Sequence, residues 1–221
     1  MSPQIYGLLV DSTLQTLAMV ATAIALGTAV GLPLGIWLAL SGKGELLATP
    51  WLNRVLSLVV NVTRSTPFII LVVAIIPFTR LIVGTSIGTG AAIVPLSIAA
   101  APFIARLVES AIRDVDHGLI EASKAMGATP AQIVFKVLLP EALPGIVTGL
   151  TLTIVSLLSY SAMVGAVGGG GLGDLGIRYG YQRFRPDVML LVVLVLVVLV
   201  QLVQSGGEWL ARRLNHRIRQ S

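Results

Sequence analysis

Long apolar blocks set the pattern of this 221-residue chain: no charged residue lies between Asp11 and Lys43, between Glu141 and Asp174, or between Asp187 and Glu208. Each block is long enough to cross about 30 Å of hydrocarbon as a helix. Two more lie in the middle, residues 55–76, apolar apart from Arg64, and residues 91–107, apolar up to Arg106. The pattern predicts an all-α polytopic membrane protein with about five transmembrane helices, the second span being the least clean. Because the first ten residues hold no Lys or Arg, the first block lacks the basic flank of a cleavable signal peptide and is expected to remain as a span.

Between the blocks the chain is polar and short. Ser41, Gly42, Lys43 and Gly44 predict a turn after the first span, and GTSIGTG at residues 84–90 reads as a surface loop. Residues 168–186 form a longer connection with room to fold back on the membrane surface. The longest connection, about 35 residues, separates spans three and four and holds EASKAMGATPAQIVFKVLLP at residues 121–140. There Gly127 follows a run of helix formers and suits a left-handed helix end. Thr129 suits the N-cap of a second helix, Pro130 its first position, and Gln132 completes a capping box. Ile133, Val134, Val137 and Leu138 give that helix an apolar side, Gln132 and Lys136 share another, and Pro140 and Pro144 bracket the entry into span four. Spacing alone allows either a stiff docking knob or an amphipathic linker lying on the membrane.

Composition agrees: 55% of residues are hydrophobic and 11% charged, against about 25% charged in soluble domains. The net charge of +5 sits mainly where membrane insertion puts it. Lys43, Arg54, Arg106, Arg113, Lys124, Lys136, Arg212, Arg213, Arg217 and Arg219 collect on one side, and Arg80, Arg178, Arg183 and Arg185 on the other. The first side is therefore expected to be cytoplasmic, with the N-terminus outside and the C-terminus in the cytoplasm. This distribution argues against nucleic-acid binding and places the arginine tail near anionic headgroups in the lipid. With no cysteine there is no disulfide or thiolate chemistry, and His117 and His216 have no partners at metal spacing, so no metal site is expected. Gly42-Lys43-Gly44 lacks the spacing and hydroxyl of a phosphate loop, so the chain is not expected to bind ATP. Glycines 168–171 and 173 follow a span and not a strand, which excludes a dinucleotide fold and leaves a sharp backbone turn.

Within the membrane, Gly149, Thr153, Ser156, Tyr160 and Met163 recur at three- and four-residue steps on one face of span four. Such a face should avoid lipid, either as packing glue or as the wall of a translocation path. Met163 is a candidate gate, being unbranched and without hydrogen-bond demand, and equally an ordinary core residue. Arg64, in Arg64-Ser65-Thr66-Pro67, would cost about 2.5–3.5 kcal/mol at mid-membrane, which puts it near the cytoplasmic end or pairs it within the bundle. Pro67 marks either a kink or a first helical turn.

Glu121-Ala122-Ser123, three residues, Gly127, nine residues, Val137, one residue and Leu139-Pro140 resemble the EAA loop of ATP-binding-cassette importer permeases, with Ser and Val as mild departures. VGTSIG, AAIVPL, AAPFIARLVE, GLIEASKAMGATP, KVLLPEALPG and YSAM before the glycine run resemble the permease subunit of methionine importers, from about residue 14 to 173. The resemblance implies a type I importer permease, one transmembrane domain over residues 1–221 with a coupling loop at about 117–140. It implies a homodimer in the bacterial inner membrane, with an ATPase subunit on the EAA loop and a substrate-binding protein outside, near the glycine turn. Glu121, Ala122, Ser123, Ala125, Gly127, Ala128, Leu139 and Pro140 fall at the coupling positions, and Ser156, Tyr160 and Met163 remain the candidate path. Runs like that at Arg64 and Pro67 occur in amino-acid permeases of this class. Transport of L-methionine, with D-methionine as an extension, would proceed by alternating access, with ATP and Mg held by the partner and no catalytic residue or cofactor here. An ion-coupled carrier or channel, a scaffold, or an importer permease for another small amino acid are the alternatives.

Overall fold

The computed structural model describes residues 3–43 and 45–215; Gly44 of the first turn and His216, Arg217 and Arg219 of the tail lie outside them. The first apolar block is one helix, α1 (Pro3–Leu40), 38 residues long, or about 57 Å at 1.5 Å per residue, longer than the hydrocarbon core. Residues 50–83 form α2 (Pro50–Ser65), α3 (Phe68–Ala74) and α4 (Ile76–Val83). Then come α5 (Thr89–Arg113), α6 (His117–Ala125) and α7 (Pro130–Ile133). A π-helical turn (Val134–Leu138) joins α7 to α8 (Leu139–Ala166), and α9 (Gly171–Leu175) and a second π turn (Gly176–Tyr181) lead to α10 (Pro186–Leu214). Among the described residues four helical stretches are long and apolar enough to cross a membrane, and a fifth is counted where the bent pair α2–α3 is taken as one broken span.

Small residues set how closely the spans approach. α1 and α5 run parallel, with Gly27 on Ala100, Gly31 on Ala101 and Ile104, and Gly35 on Ala105 and Val108. A methyl group at Gly31 or Gly35 would stand 2.5 Å from a carbonyl oxygen of α5, so the two backbones nearly touch. α8 runs antiparallel to α5, Gly149 against Leu107 and Gly145 against Ala111, and Gly207 lets α10 lie directly on Thr151 of α8. The main core runs the length of these helices from Met19, Leu96 and Val164 to Ile112, Ile133 and Leu138. The end carrying Arg113, Lys124, Lys136, Arg212 and Arg213 we term the basic end.

Two sequence expectations need correction. The second span is not one helix over 55–76: it begins at Pro50, breaks after Ser65 and turns by 102° into α3. Pro67 is the cause, since its ring drives Thr66 out of the helical region, to φ −79° and ψ 124°. It is neither a kink within a helix nor a first turn but the residue ahead of α3, itself extended. Residues 168–186 do not all fold back over the surface of the bundle, since the stretch at α9 is buried while residues 181–184 are exposed. α9 is folded into the bundle, where Gly171 and Leu172 donate backbone N–H groups to Gln15 Oε1 and Thr16 Oγ1 of α1, both at 2.9 Å. Gly165 and Gly173 allow this, because a side chain on either would strike the facing backbone. Pro140 and Pro144 stand at the entry into span four, and the chain is helical through both, from residue 130 to 166. The π turn ahead of Pro140 shifts the ladder, Leu139 donating to Val134 O, and accommodates a ring that would clash with a regular carbonyl.

Candidate functional site

Two features stand out, a knob at the basic end and an opening beside the broken span. In the knob, Asp116 caps α6 by accepting the Gly118 N–H at 2.8 Å. Gly127, at φ +79°, then reverses the chain, with Gly127 N donating to Lys124 O at 3.0 Å and Ala128 N to Ser123 O at 3.0 Å. That pair of bonds is a Schellman ending, which favours glycine because a Cβ is strained at this φ. Thr129 starts α7 with the predicted box: Gln132 N–H donates to Thr129 Oγ1 at 3.3 Å and Thr129 N–H to Gln132 Oε1 at 2.9 Å.

The knob is fixed to the bundle by its apolar side. Ile133, Val134 and Leu138 are buried in the same cluster as Val108, Ile112 and Val115 at the end of α5. Of the sequence-predicted coupling residues, Glu121, Ala122, Ala125, Gly127 and Pro140 are exposed and Ala128 and Leu139 half-buried. Ser123 is buried and donates to Leu119 O at 2.6 Å, so it packs inside the knob and is no surface group. Sequence reasoning missed Met126 and Phe135, which are 80% and 68% exposed on the same element. Large apolar side chains beside Glu121 and Gly127 suit a buried contact with another protein. Their signal was an apolar residue off the apolar side of a capped helix.

Sequence reasoning also passed over Glu109. It is 4% exposed near the basic end of α5, bonded to Arg106 one turn back and to Arg113 at 2.9 Å. Arg106 in turn donates to Asn61 Oδ1 of α2 at 3.0 Å, tying the two helices.

The polar face of α8 divides by depth. Gly149 packs against Leu107 of α5, and Thr153 is 1% exposed with its hydroxyl donated to Gly149 O at 2.9 Å. Ser156 is half-exposed and bonded to its own helix at Leu152 O. Toward the other end Tyr160 is half-buried, stacked on Phe68 of α3 with centroids 4.3 Å apart, and Met163 is exposed. Packing thus accounts for the deeper part of the face and open surface for the rest. Arg64 lies not at the basic end but at the break, its guanidinium 5.6 Å from the Phe103 ring of α5. Phe103 is roughly 15 Å from the Arg113 end of α5 at 1.5 Å per residue. Arg64, Phe68, Phe103 and Tyr160 line one pocket of about 110 Å³, and Pro67 turns the chain into it. Among the described residues no three His, Asp or Glu side chains gather to hold a metal.

Residues 31–220 match the protein family described as binding-protein-dependent transport system inner membrane component. The chain is 59% identical over 210 residues to the probable D-methionine transport system permease protein MetI of Vibrio cholerae, covering 95% of this chain and 93% of that one. It is 50% identical to the protein of the same description from Pasteurella multocida, over 98% of this chain and all of that one. A solved structure of the MetNI methionine ABC transporter, in an inward-facing conformation, superposes with a TM-score of 0.95 at 53% identity, over 98% of this chain and 100% of its own.

Proposed function

Since the chain belongs to the family of inner-membrane components of binding-protein-dependent transport systems, we propose that it is the permease subunit of an ATP-driven methionine importer. The observation that carries this reading is the full-length likeness, at 53% identity, to a chain of a methionine ABC transporter. On it, two copies of the chain meet in the inner membrane, each knob of residues 117–140 seats in an ATPase subunit, and a substrate-binding protein docks on the opposite face. The knob's basic end is cytoplasmic, with the N-terminus outside, as the Lys and Arg distribution favours. Glu121, Ala122, Gly127 and the exposed Met126 and Phe135 make the ATPase contact, and Ser156, Tyr160 and Met163 line the path.

The mechanism is alternating access. Closure of the ATPase pair on ATP draws the knobs together and opens the permease outward, and hydrolysis resets it inward. This chain makes and breaks no bond; ATP and Mg sit on the partner, and the work here is to convert knob displacement into helix movement. Purification of the tagged chain from its native membrane in mild detergent, with mass spectrometry of what accompanies it, tests the assembly. An ATPase subunit should accompany the wild type and be lost with Gly127→Pro, and the intact complex should import L- and D-methionine into proteoliposomes only with its binding protein. A wild-type chain that emerges alone from several detergents, or a complex that imports neither isomer, refutes the reading.

A further inference from the structure

Arg64 is an exposed cation at the break between α2 and α3, level with Phe103 midway along α5. Among the described residues it forms no ion pair, and its one recorded contact is the face of Phe103. Thr63, Ser65 and Thr66 donate their hydroxyls to carbonyls of their own helix, and no hydrogen bond joins any of them to Arg64. A guanidinium has five N–H donors and keeps its charge under all conditions, so it must find acceptors. At this depth facing lipid would be costly, so Arg64 faces a wet path or a ligand.

Its surroundings fit a ligand. The chain is broken here, as at substrate sites formed by discontinuous membrane helices. The pocket, with a volume of about 110 Å³, has room for several waters and so for a carboxylate with its ammonium. The stacked Phe68 and Tyr160 rings line the same pocket as the guanidinium and the Phe103 ring beneath it.

We propose that Arg64, with Phe68, Phe103 and Tyr160, forms a receptor inside the membrane for the α-carboxylate of an amino acid in transit, its side chain lying along the aromatic wall. This rests on the importer reading above and adds to it a site in the permease itself. The planar guanidinium takes the carboxylate through two parallel N–H bonds, and a thioether side chain gains from contact with ring edges. An amino acid that arrives without its charged carboxylate finds only the apolar part of the site.

Equilibrium binding of radiolabelled L-methionine to the purified permease–ATPase complex, without binding protein, tests the proposal, with methionine methyl ester as competitor. The ester keeps the ammonium and thioether and lacks the carboxylate charge. Against the wild type the free acid should compete at least about tenfold better than the ester. Arg64→Gln should weaken methionine binding about tenfold and erase that preference, while Arg64→Lys should retain part of it. Equal competition by acid and ester in the wild type overturns the proposal, as does an Arg64→Gln complex that binds like the wild type. Should Arg64→Gln fail to assemble, the ester comparison on the wild type decides alone. Uptake is measured on the same preparations. Wild type that imports methionine with its binding protein yet binds none without it overturns the site and leaves the importer standing, whereas wild type that imports none overturns the importer reading and the site with it.

Discussion

Replacing Gly31 by alanine adds one methyl group where α1 and α5 are closest. The new Cβ would stand 2.5 Å from Ala101 O and 2.9 Å from Ile104 Cβ, against an ordinary contact of at least 3.4 Å, so the helices must part by roughly 1 Å. A gap of that size forfeits about a quarter to a half of each dispersion contact along the seam. Gly27 and Gly35 approach α5 as closely on either side, so the strain cannot be taken up by a local shift. Overpacking of this kind costs about 1–3 kcal/mol, and a rigid three-glycine seam belongs near the upper end. Alanine's helix propensity, worth about 1 kcal/mol over glycine, offsets little because the spans stay helical when the bundle comes apart in detergent. Gly7→Ala on the same helix controls for propensity, since nothing lies within 4 Å of that site. Unfolding of the complex in mixed micelles by titration with SDS should show a loss of about 2–3 kcal/mol for Gly31→Ala and less than about 0.5 kcal/mol for Gly7→Ala. Equal stability of the two variants would refute the close-packed seam.

Gly127→Ala should lose about 1–2 kcal/mol in the knob through its left-handed φ alone, as the space around it is open, and Gly127→Asn should be milder; native-state hydrogen exchange of residues 117–133 reads both. Met126→Asp and Phe135→Asp should reduce co-purification of the ATPase severalfold while leaving micelle unfolding of the permease within about 0.5 kcal/mol, since both side chains are exposed. Met163→Ala should raise uncoupled methionine leak in proteoliposomes if its half-open position is a gate, and unchanged leak retires that role. Pro67→Ala should let α2 run on past Thr66 and lower transport without lowering expression, and an unchanged rate would show that the break is not needed.

The turns of the knob were legible because its caps are local: a glycine ending and a Thr–Gln box depend on a few neighbouring positions, and each formed as its spacing implies. The apolar blocks likewise announced the spans, since lipid crossing needs only length and hydropathy. What failed were features set across the bundle. The break at residues 65–68 fell inside an apolar run whose hydropathy is blind to the direction of the chain, though Thr66-Pro67 carried the local warning. Burial of α9 depended on Gln15 and Thr16, more than 150 residues away, offering their side-chain oxygens. Glu109 read as one charge among several because its burial comes from packing, and Gly27, Gly31 and Gly35 had a visible four-residue period that an apolar-block search overlooks.

The same contacts describe how displacement at the knob would reach the broken span. Ile133 and Leu138 are locked into the core with Ile112 and Val115, so the knob cannot rotate freely against the end of α5. Two turns further along α5, Arg106 holds both Glu109 and Asn61, so α5 and the middle of α2 are joined through charge-assisted bonds. One turn beyond Asn61 the helix ends at Arg64 and Ser65, and the two residues that follow, Thr66 and Pro67, lie outside either helix and can change direction at little cost. Rigid packing from knob to Asn61 followed by a joint at Pro67 means that a small rotation of the basic end is delivered as a change of angle between α2 and α3. The pocket of Arg64, Phe68 and Tyr160 lies across that joint. Its walls belong to both sides of the angle, so a change of that angle would alter the pocket's width.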